Sequence, residues 1–144
     1  MSTGTALEAS QIRLAYPTRG GQAQPVLDVE ALTIAPGASV ALTGPSGAGK
    51  TSLLYVLTGI ERPQSGRIGW DGFDLLGFSE SARDRWRRET VGFIFQDFHL
   101  FEGMTAVQNI LVPAGFAAFS APSELRRRAH ELLDRVSVPA ARRG

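Results

Sequence analysis

The sequence contains no cysteine, so disulfides, thiolate nucleophiles and cysteine-ligated zinc are excluded. It has two histidines, His99 and His130, too far apart in sequence to suggest a shared metal site. Long apolar runs are missing as well. The longest, Ile110 to Phe119, is interrupted by Pro113 and Gly115 and falls short of the roughly 20 residues a membrane helix needs. The N-terminus has no basic cluster followed by an apolar segment, so no signal peptide is expected. These absences predict a cytoplasmic protein that reaches a membrane only through a partner. Neither sign of charge dominates: the net charge is +1, which gives no global argument for nucleic-acid binding. Lysine is nearly absent too. Lys50 is the only one, and every other basic side chain, the histidines aside, is arginine.

The single lysine stands in Gly44-Pro45-Ser46-Gly47-Ala48-Gly49-Lys50-Thr51, which fits the pattern G-x-x-x-x-G-K-[ST] without a mismatch. Glycines let the backbone take positive φ and approach a ligand with no Cβ in the way. Successive N–H groups then face inward as an anion nest. A helix starting here adds its unpaired N-terminal N–H groups and the positive end of its dipole. Lys50 is expected to reach the β- and γ-phosphates as a point charge, and Thr51 to offer its hydroxyl to Mg²⁺. Ser52 opens the helix beside them. The flanks agree. Ser39 to Thr43 is a short, mostly apolar run suited to a buried parallel strand. Ser52 to Gly59 reads as a helix ending at a glycine.

With 144 residues, 43% of them hydrophobic and 20% charged, the chain has the composition of one globular domain. Residues 1–9 read as a flexible start. Gln11 to Tyr16 reads as a strand with Ile12 and Leu14 on one face, and Pro17 to Pro25 as a loop. Val26 to Ile34 is a second extended segment, and Arg67 to Trp70 a third, with Asp71-Gly72 as a tight turn. Ser79 to Thr90 is predicted to be a surface helix and Val91 to Phe95 an apolar strand. Thr105 is predicted to cap a short helix through Leu111. Ser123 is predicted to cap a longer one that carries Leu125, Ala129, Leu132, Leu133 and Val136 at helical spacing.

Two residues outside the loop stand out. Gln96 follows the apolar run Val91 to Phe95. A glutamine at a strand end near a phosphate loop has a carbonyl oxygen for Mg²⁺ and an amide to orient water. The alternative is a strand-end side chain bonded to backbone. Tyr16 precedes the loop. Its ring either stacks on a base, a contact worth roughly 1–3 kcal/mol in nucleic-acid systems, or is a half-buried strand tyrosine.

Together these stretches resemble the nucleotide-binding subunit of an ABC transporter. The matching segments are Ile12 to Tyr16, Leu32 to Gly37, the loop through Leu54, Ser65 to Ile68 with Asp71-Gly72, and Val91 to Asp97 with Met104-Thr105 and Asn109. They occur in the family's order and cover most of the chain. The run Phe95-Gln96-Asp97-Phe98-His99-Leu100 looks most like the lipoprotein-release and macrolide-export branch. The resemblance implies an α/β P-loop NTPase core with an N-terminal antiparallel β subdomain. Residues 11–95 would form the β subdomain and loop core, and 96–144 the Q-loop and the start of the helical subdomain. It also implies ATP and Mg²⁺ as ligands, with adenine on Tyr16, the phosphates on Gly44 to Ser52, and the metal on Thr51 and Gln96. The implied partners are a membrane subunit at the cytoplasmic face of the inner membrane and a second nucleotide-binding subunit.

The family's L-S-G-G-Q motif, the acidic strand end that carries its catalytic glutamate, and its switch histidine have no counterpart in these 144 residues. The expectation is the N-terminal portion of such a domain, one that binds ATP–Mg²⁺ with little or no turnover. Two other readings compete with it. One is a guanylate-kinase-like phosphotransferase, which shares the loop pattern. The other is a non-catalytic ATP-binding remnant. The arginines at Arg83, Arg85, Arg87, Arg88 and Arg126 to Arg128 are balanced by acidic residues and read as solvated helix faces, not as a nucleic-acid surface.

Overall fold

The computed structural model describes residues 6–95, 97, 100–114 and 122–142. They form two compact units, 1–91 and 92–144. In the first, strands β1 (Leu7–Pro17), β2 (Ala23–Ile34), β3 (Ser65–Trp70) and β4 (Phe73–Asp74) make an antiparallel sheet in the order β2-β1-β3-β4. Helix α1 (Lys50–Leu57) lies between β2 and β3 in sequence, and α2 (Glu80–Thr90) ends the unit. An antiparallel β part beside a glycine loop and helix is what the sequence predicts. Strands β1, β2 and β3 all start earlier than expected, and β1 also runs one residue further, to Pro17, while β2 and β3 end where predicted. The flexible start predicted for 1–9 is corrected at its second half, because Leu7 and Ala9 are buried strand residues.

The apolar pattern of β1 changes phase midway. Leu7 and Ala9 are buried at odd positions, Ile12 and Leu14 at even ones. Strict alternation would put one pair in solvent. Gln11, at φ 55, supplies the irregularity, and the pairing of β1 with β3 shifts register between Ser10 and Arg13. Both pairs therefore face one core, shared with Leu27, Val56, Leu57, Ile68 and Leu75. Gly66, at φ 116, lies against this bulge. A Cβ there would stand 2.7 Å from the Gln11 carbonyl oxygen and 2.8 Å from the Ile12 Cα. The turn Asp71-Gly72 has positive φ at both residues, the geometry that suits a two-residue hairpin between β3 and β4.

Helix α1 buries Val56 and Leu57 and stops at Gly59, φ 71, as predicted. Of its last four carbonyls, those of Leu54, Tyr55 and Val56 accept backbone N–H groups from residues 58–61, and side chains serve the next ones. Trp70 donates its indole N–H to the Leu57 oxygen at 2.8 Å, and Arg87 donates to the Gly59 oxygen at 2.8 Å. Trp70 in turn packs on Trp86 of α2 with ring centroids 5.7 Å apart. Ser79 caps α2 by accepting from the Ala82 N–H, and no residue of that helix is buried, as its polar sequence predicts.

Two expected strands are absent. Ser39 to Thr43 and Val91 to Phe95 are in no sheet among the described residues. Val40 is 61% exposed and Ile94 86%. An apolar run supplies the side chains of a buried strand, but a strand exists only where a neighbour takes its backbone hydrogen bonds.

In the second unit, Thr105 caps α3 (Ala106–Leu111) in a reciprocal capping box with Gln108. The Asn109 side chain ties this helix to the turn before it, accepting from the Phe101 N–H at 2.8 Å and donating to the Met104 oxygen at 3.2 Å. Val107 and Leu111 pack with Ala129 and Leu133 of α4 (Ser123–Arg135). Pro122, not Ser123, is the N-cap of α4, and Ser123 is its first helical residue. Of the five apolar residues predicted for its inner face, only Ala129 and Leu133 are buried, while Leu125, Leu132 and Val136 are exposed. Six-residue α3 offers a seam too narrow to cover the rest. Arg127 and Arg128 of α4 are engaged with carboxylates. Arg127 pairs with Glu124 and Glu131, which raise its pKa further, and Arg128 pairs with Glu131.

Gly66→Ala is expected to lower unfolding free energy by roughly 2–4 kcal/mol, since both its φ and its neighbours reject a side chain. Gly69→Ala in the same strand, where the nearest atom outside its chain neighbours is 3.5 Å away, should cost less than about 1 kcal/mol. Urea denaturation of the two variants checks the contrast.

Candidate phosphate-binding site

The loop predicted to bind phosphate leads directly into α1. Gly44, Gly47 and Gly49 all have positive φ, at 150, 79 and 79 degrees. Gly49 is the N-cap of α1 in the left-handed conformation, with no side-chain cap. No acidic residue stands in the first turn. The helix thus presents its first N–H groups without a protein acceptor from a capping side chain, and with no carboxylate to compete for an anion. Pro45, Ser46, Gly47 and Ala48 are exposed, and the Ala48 N–H donates to the Pro45 oxygen at 3.3 Å.

Lys50 closes the loop from below. Its ammonium donates to the Gly44 oxygen at 2.9 Å and the Pro45 oxygen at 2.7 Å. These two bonds use two of its three N–H groups and hold the cation at the mouth of the helix. Thr51 stands exposed on the first turn, and Ser52 is half-buried beside it. The Tyr16 hydroxyl, from β1, is 3.5 Å from the Ser52 Oγ. Tyr16 is 42% exposed, so its ring is neither a core residue nor withdrawn from a ligand. The structure therefore brings Tyr16 and Gly44 to Ser52 together. Gln96 lies outside the described residues.

Sequence reasoning assigned Gly49 to the loop but missed how it is seated, and it missed Glu61 and Gln64 altogether. Gly49 is pressed against β2, where a Cβ would meet the Val26 carbonyl oxygen at 2.7 Å and Leu27 Cδ2 at 2.9 Å. The loop is thus seated on the sheet by a glycine chosen for space as well as for φ. Glu61 accepts the Tyr16 hydroxyl at 2.9 Å. Gln64 bonds the backbone of Ala15 with both ends of its amide, at 2.8 and 2.7 Å. Nothing in the local pattern signals these contacts, because Pro63 to Gly66 reads only as a turn.

Gly49→Ala should lower the melting temperature markedly more than Gly47→Ala, whose added methyl meets nothing within 4 Å and bears only the backbone cost of about 1–2 kcal/mol. Thermal unfolding of the two variants, without ligand, reads the difference.

The chain is similar to several known proteins. A family model described as ABC transporter matches residues 27–143. An uncharacterised ABC transporter ATP-binding protein of Mycobacterium tuberculosis is 41% identical over 132 residues, covering 92% of this chain and 39% of the relative. The lipoprotein-releasing system ATP-binding protein LolD 1 of Rhodopirellula baltica is 39% identical over 132 residues, covering 92% of this chain and 57% of the relative. Among solved structures, the ATP-binding cassette MJ0796, a dimer in a post-hydrolysis state bound to ADP and Pi, superposes with a TM-score of 0.82 at 27% identity. That match covers 95% of this chain and 60% of the cassette. The chain thus spans about two-fifths to three-fifths of these relatives' lengths. Among the described residues no helix is long and apolar enough to cross a membrane. With the α/β P-loop fold and a family match across most of its length, the chain belongs to the ABC transporter ATP-binding family.

Proposed function

We propose that this chain binds ATP–Mg²⁺ as the ATP-binding part of an ABC transporter. The observation that carries the reading is the start of α1: a left-handed glycine, an uncapped helix end and an ammonium bonded to the loop's own carbonyls. That donor set fits a polyphosphate, which brings several acceptor oxygens to one place. The Lys50 ammonium and the N–H groups of Gly47 to Thr51 bind and orient the phosphates. Tyr16 takes the base. The hydroxyl of Thr51 and the carbonyl of Gln96 are the protein ligands proposed for the metal. Among the described residues no cluster of three histidine, cysteine or acidic side chains is placed to hold a metal ion. An ion held chiefly by phosphate oxygens and water suits Mg²⁺. When bound, Mg²⁺ neutralises charge on the β- and γ-phosphates.

The division of labour proposed is a β subdomain and loop core over 11–95 and a Q-loop with the start of a helical subdomain over 96–144. ATP binding would be coupled to transport through a membrane subunit at the cytoplasmic face of the inner membrane, with a second nucleotide-binding subunit as partner. The dimeric state of the related cassette MJ0796 supports the second partner. The residues assigned here position nucleotide and metal, and none of them is a carboxylate able to take a proton from water. This chain alone is therefore proposed to bind ATP with little or no turnover.

Lys50→Ala should weaken Mg²⁺–ATP binding about 10- to 100-fold in calorimetry, the loss of a charged hydrogen-bond donor. A melting temperature measured in parallel separates this from loss of the Gly44 and Pro45 bonds. Steady-state phosphate release by the purified chain should not exceed that of Lys50→Ala. Turnover that is abolished by that substitution would overturn the low-turnover reading.

A further inference from the structure

Tyr16 sits where its strand is least constrained by its neighbours. The ladder between β1 and β3 ends at Arg13 and Ser65, where the Gln64 N–H donates to the Arg13 oxygen at 2.9 Å. On the other side, the register with β2 shifts between Leu14 and Ala15, and Ala15 faces Pro25, which has no N–H to give. The Gln64 side chain takes over at this point. Its amide oxygen accepts from the Ala15 N–H and its amide nitrogen donates to the Ala15 carbonyl, so it acts as one further residue of β3. The backbone leading into Tyr16 is thereby fixed on the side that no strand covers.

The ring has its own tether. The Tyr16 hydroxyl donates to Glu61 at 2.9 Å, and the Glu61 N–H donates to the Tyr55 oxygen of α1 at 3.1 Å. Glu61 thus links the tip of the ring to the body of the helix that begins at Lys50. An exposed tyrosine otherwise samples several rotamers, and holding one of them lowers the entropy lost when a flat ligand stacks.

We propose that Glu61 and Gln64 are positioning residues for Tyr16, setting the distance between a base-stacking ring and the phosphate loop so that a nucleoside triphosphate is bound more tightly than its polyphosphate tail alone. The proposal rests on the ATP-binding reading above. Gln64 sets the backbone of the ring and Glu61 its tilt. Neither touches the ligand.

Calorimetry on the full chain with Mg²⁺–ATP and with Mg²⁺–tripolyphosphate tests this. Glu61→Ala and Tyr16→Phe should each weaken ATP about fivefold, the effect of one partly exposed hydrogen bond. Tripolyphosphate affinity should change less than about twofold, within the noise of such a small term. The double variant should lose no more than Tyr16→Phe alone, because that substitution already removes the bond to Glu61. Glu61→Gln, whose amide oxygen accepts the same hydrogen, should restore ATP binding. Gln64→Ala should follow Glu61→Ala, and if it unfolds the other variants still decide. Equal weakening of both ligands, no weakening of either, or additive losses in the double variant would overturn the proposal. Wild-type protein that binds tripolyphosphate as tightly as ATP overturns it while leaving the phosphate loop intact. Wild-type protein that is folded and binds neither removes the ATP-binding reading and this proposal with it.

Discussion

The site depends on how one glycine is seated. Gly49 starts α1 in a left-handed conformation with its α-carbon pressed toward the Val26 carbonyl of β2. A larger residue would lift the loop off the sheet and rotate the first turn of the helix. The Lys50 ammonium, the N–H groups of that turn and the Thr51 hydroxyl all take their direction from that turn. The far end of α1 is held too, by Trp70 on the Leu57 carbonyl and by Arg87 on the Gly59 carbonyl just past the helix. A helix of eight residues is too short to be stable by itself, so its order comes from these end contacts and from Val56 and Leu57 in the core.

The proposed binding site joins two kinds of structure. The phosphate loop is backbone chemistry, built from N–H groups whose position is set by φ and ψ. The proposed base site is a side chain on a strand, tied over long range by the bonds of its hydroxyl to Glu61 and of the Ala15 backbone to Gln64. This division explains why one part is a pattern in the sequence and the other is not. The loop's geometry is local, so Gly44 to Thr51 spells it out. The tyrosine's setting involves Glu61, 45 positions away, and Gln64, 49 positions from Ala15, and no local pattern encodes them.

The same distinction runs through the fold. The Thr105 cap, the helix stop at Gly59 and the Asp71-Gly72 turn were legible because they are local, while the cap read at Ser123 falls one residue earlier, on Pro122. The β1 core residues Ile12 and Leu14 were legible by alternation. The phase change at Gln11 was not, because a bulge leaves no signature beyond two successive polar residues, Ser10 and Gln11, in an otherwise alternating strand. Ser39 to Thr43 and Val91 to Phe95 looked like strands because their side chains suit burial. They carry no strand here because pairing is decided by a neighbour, which a short apolar run does not contain. The inner face of α4 was overestimated for a related reason. Helical spacing lists the residues that are able to face a partner, and the partner's width decides how many do.

The central claim is that the backbone from Gly44 to Ser52 encloses a polyphosphate. Backbone amide resonances followed during titration with Mg²⁺–ATP test it most directly. The account predicts large shifts and slowed hydrogen exchange at Gly47 to Ser52, with smaller changes elsewhere apart from Tyr16. A folded chain whose Gly47 to Ser52 amides do not move at millimolar ATP would contradict it.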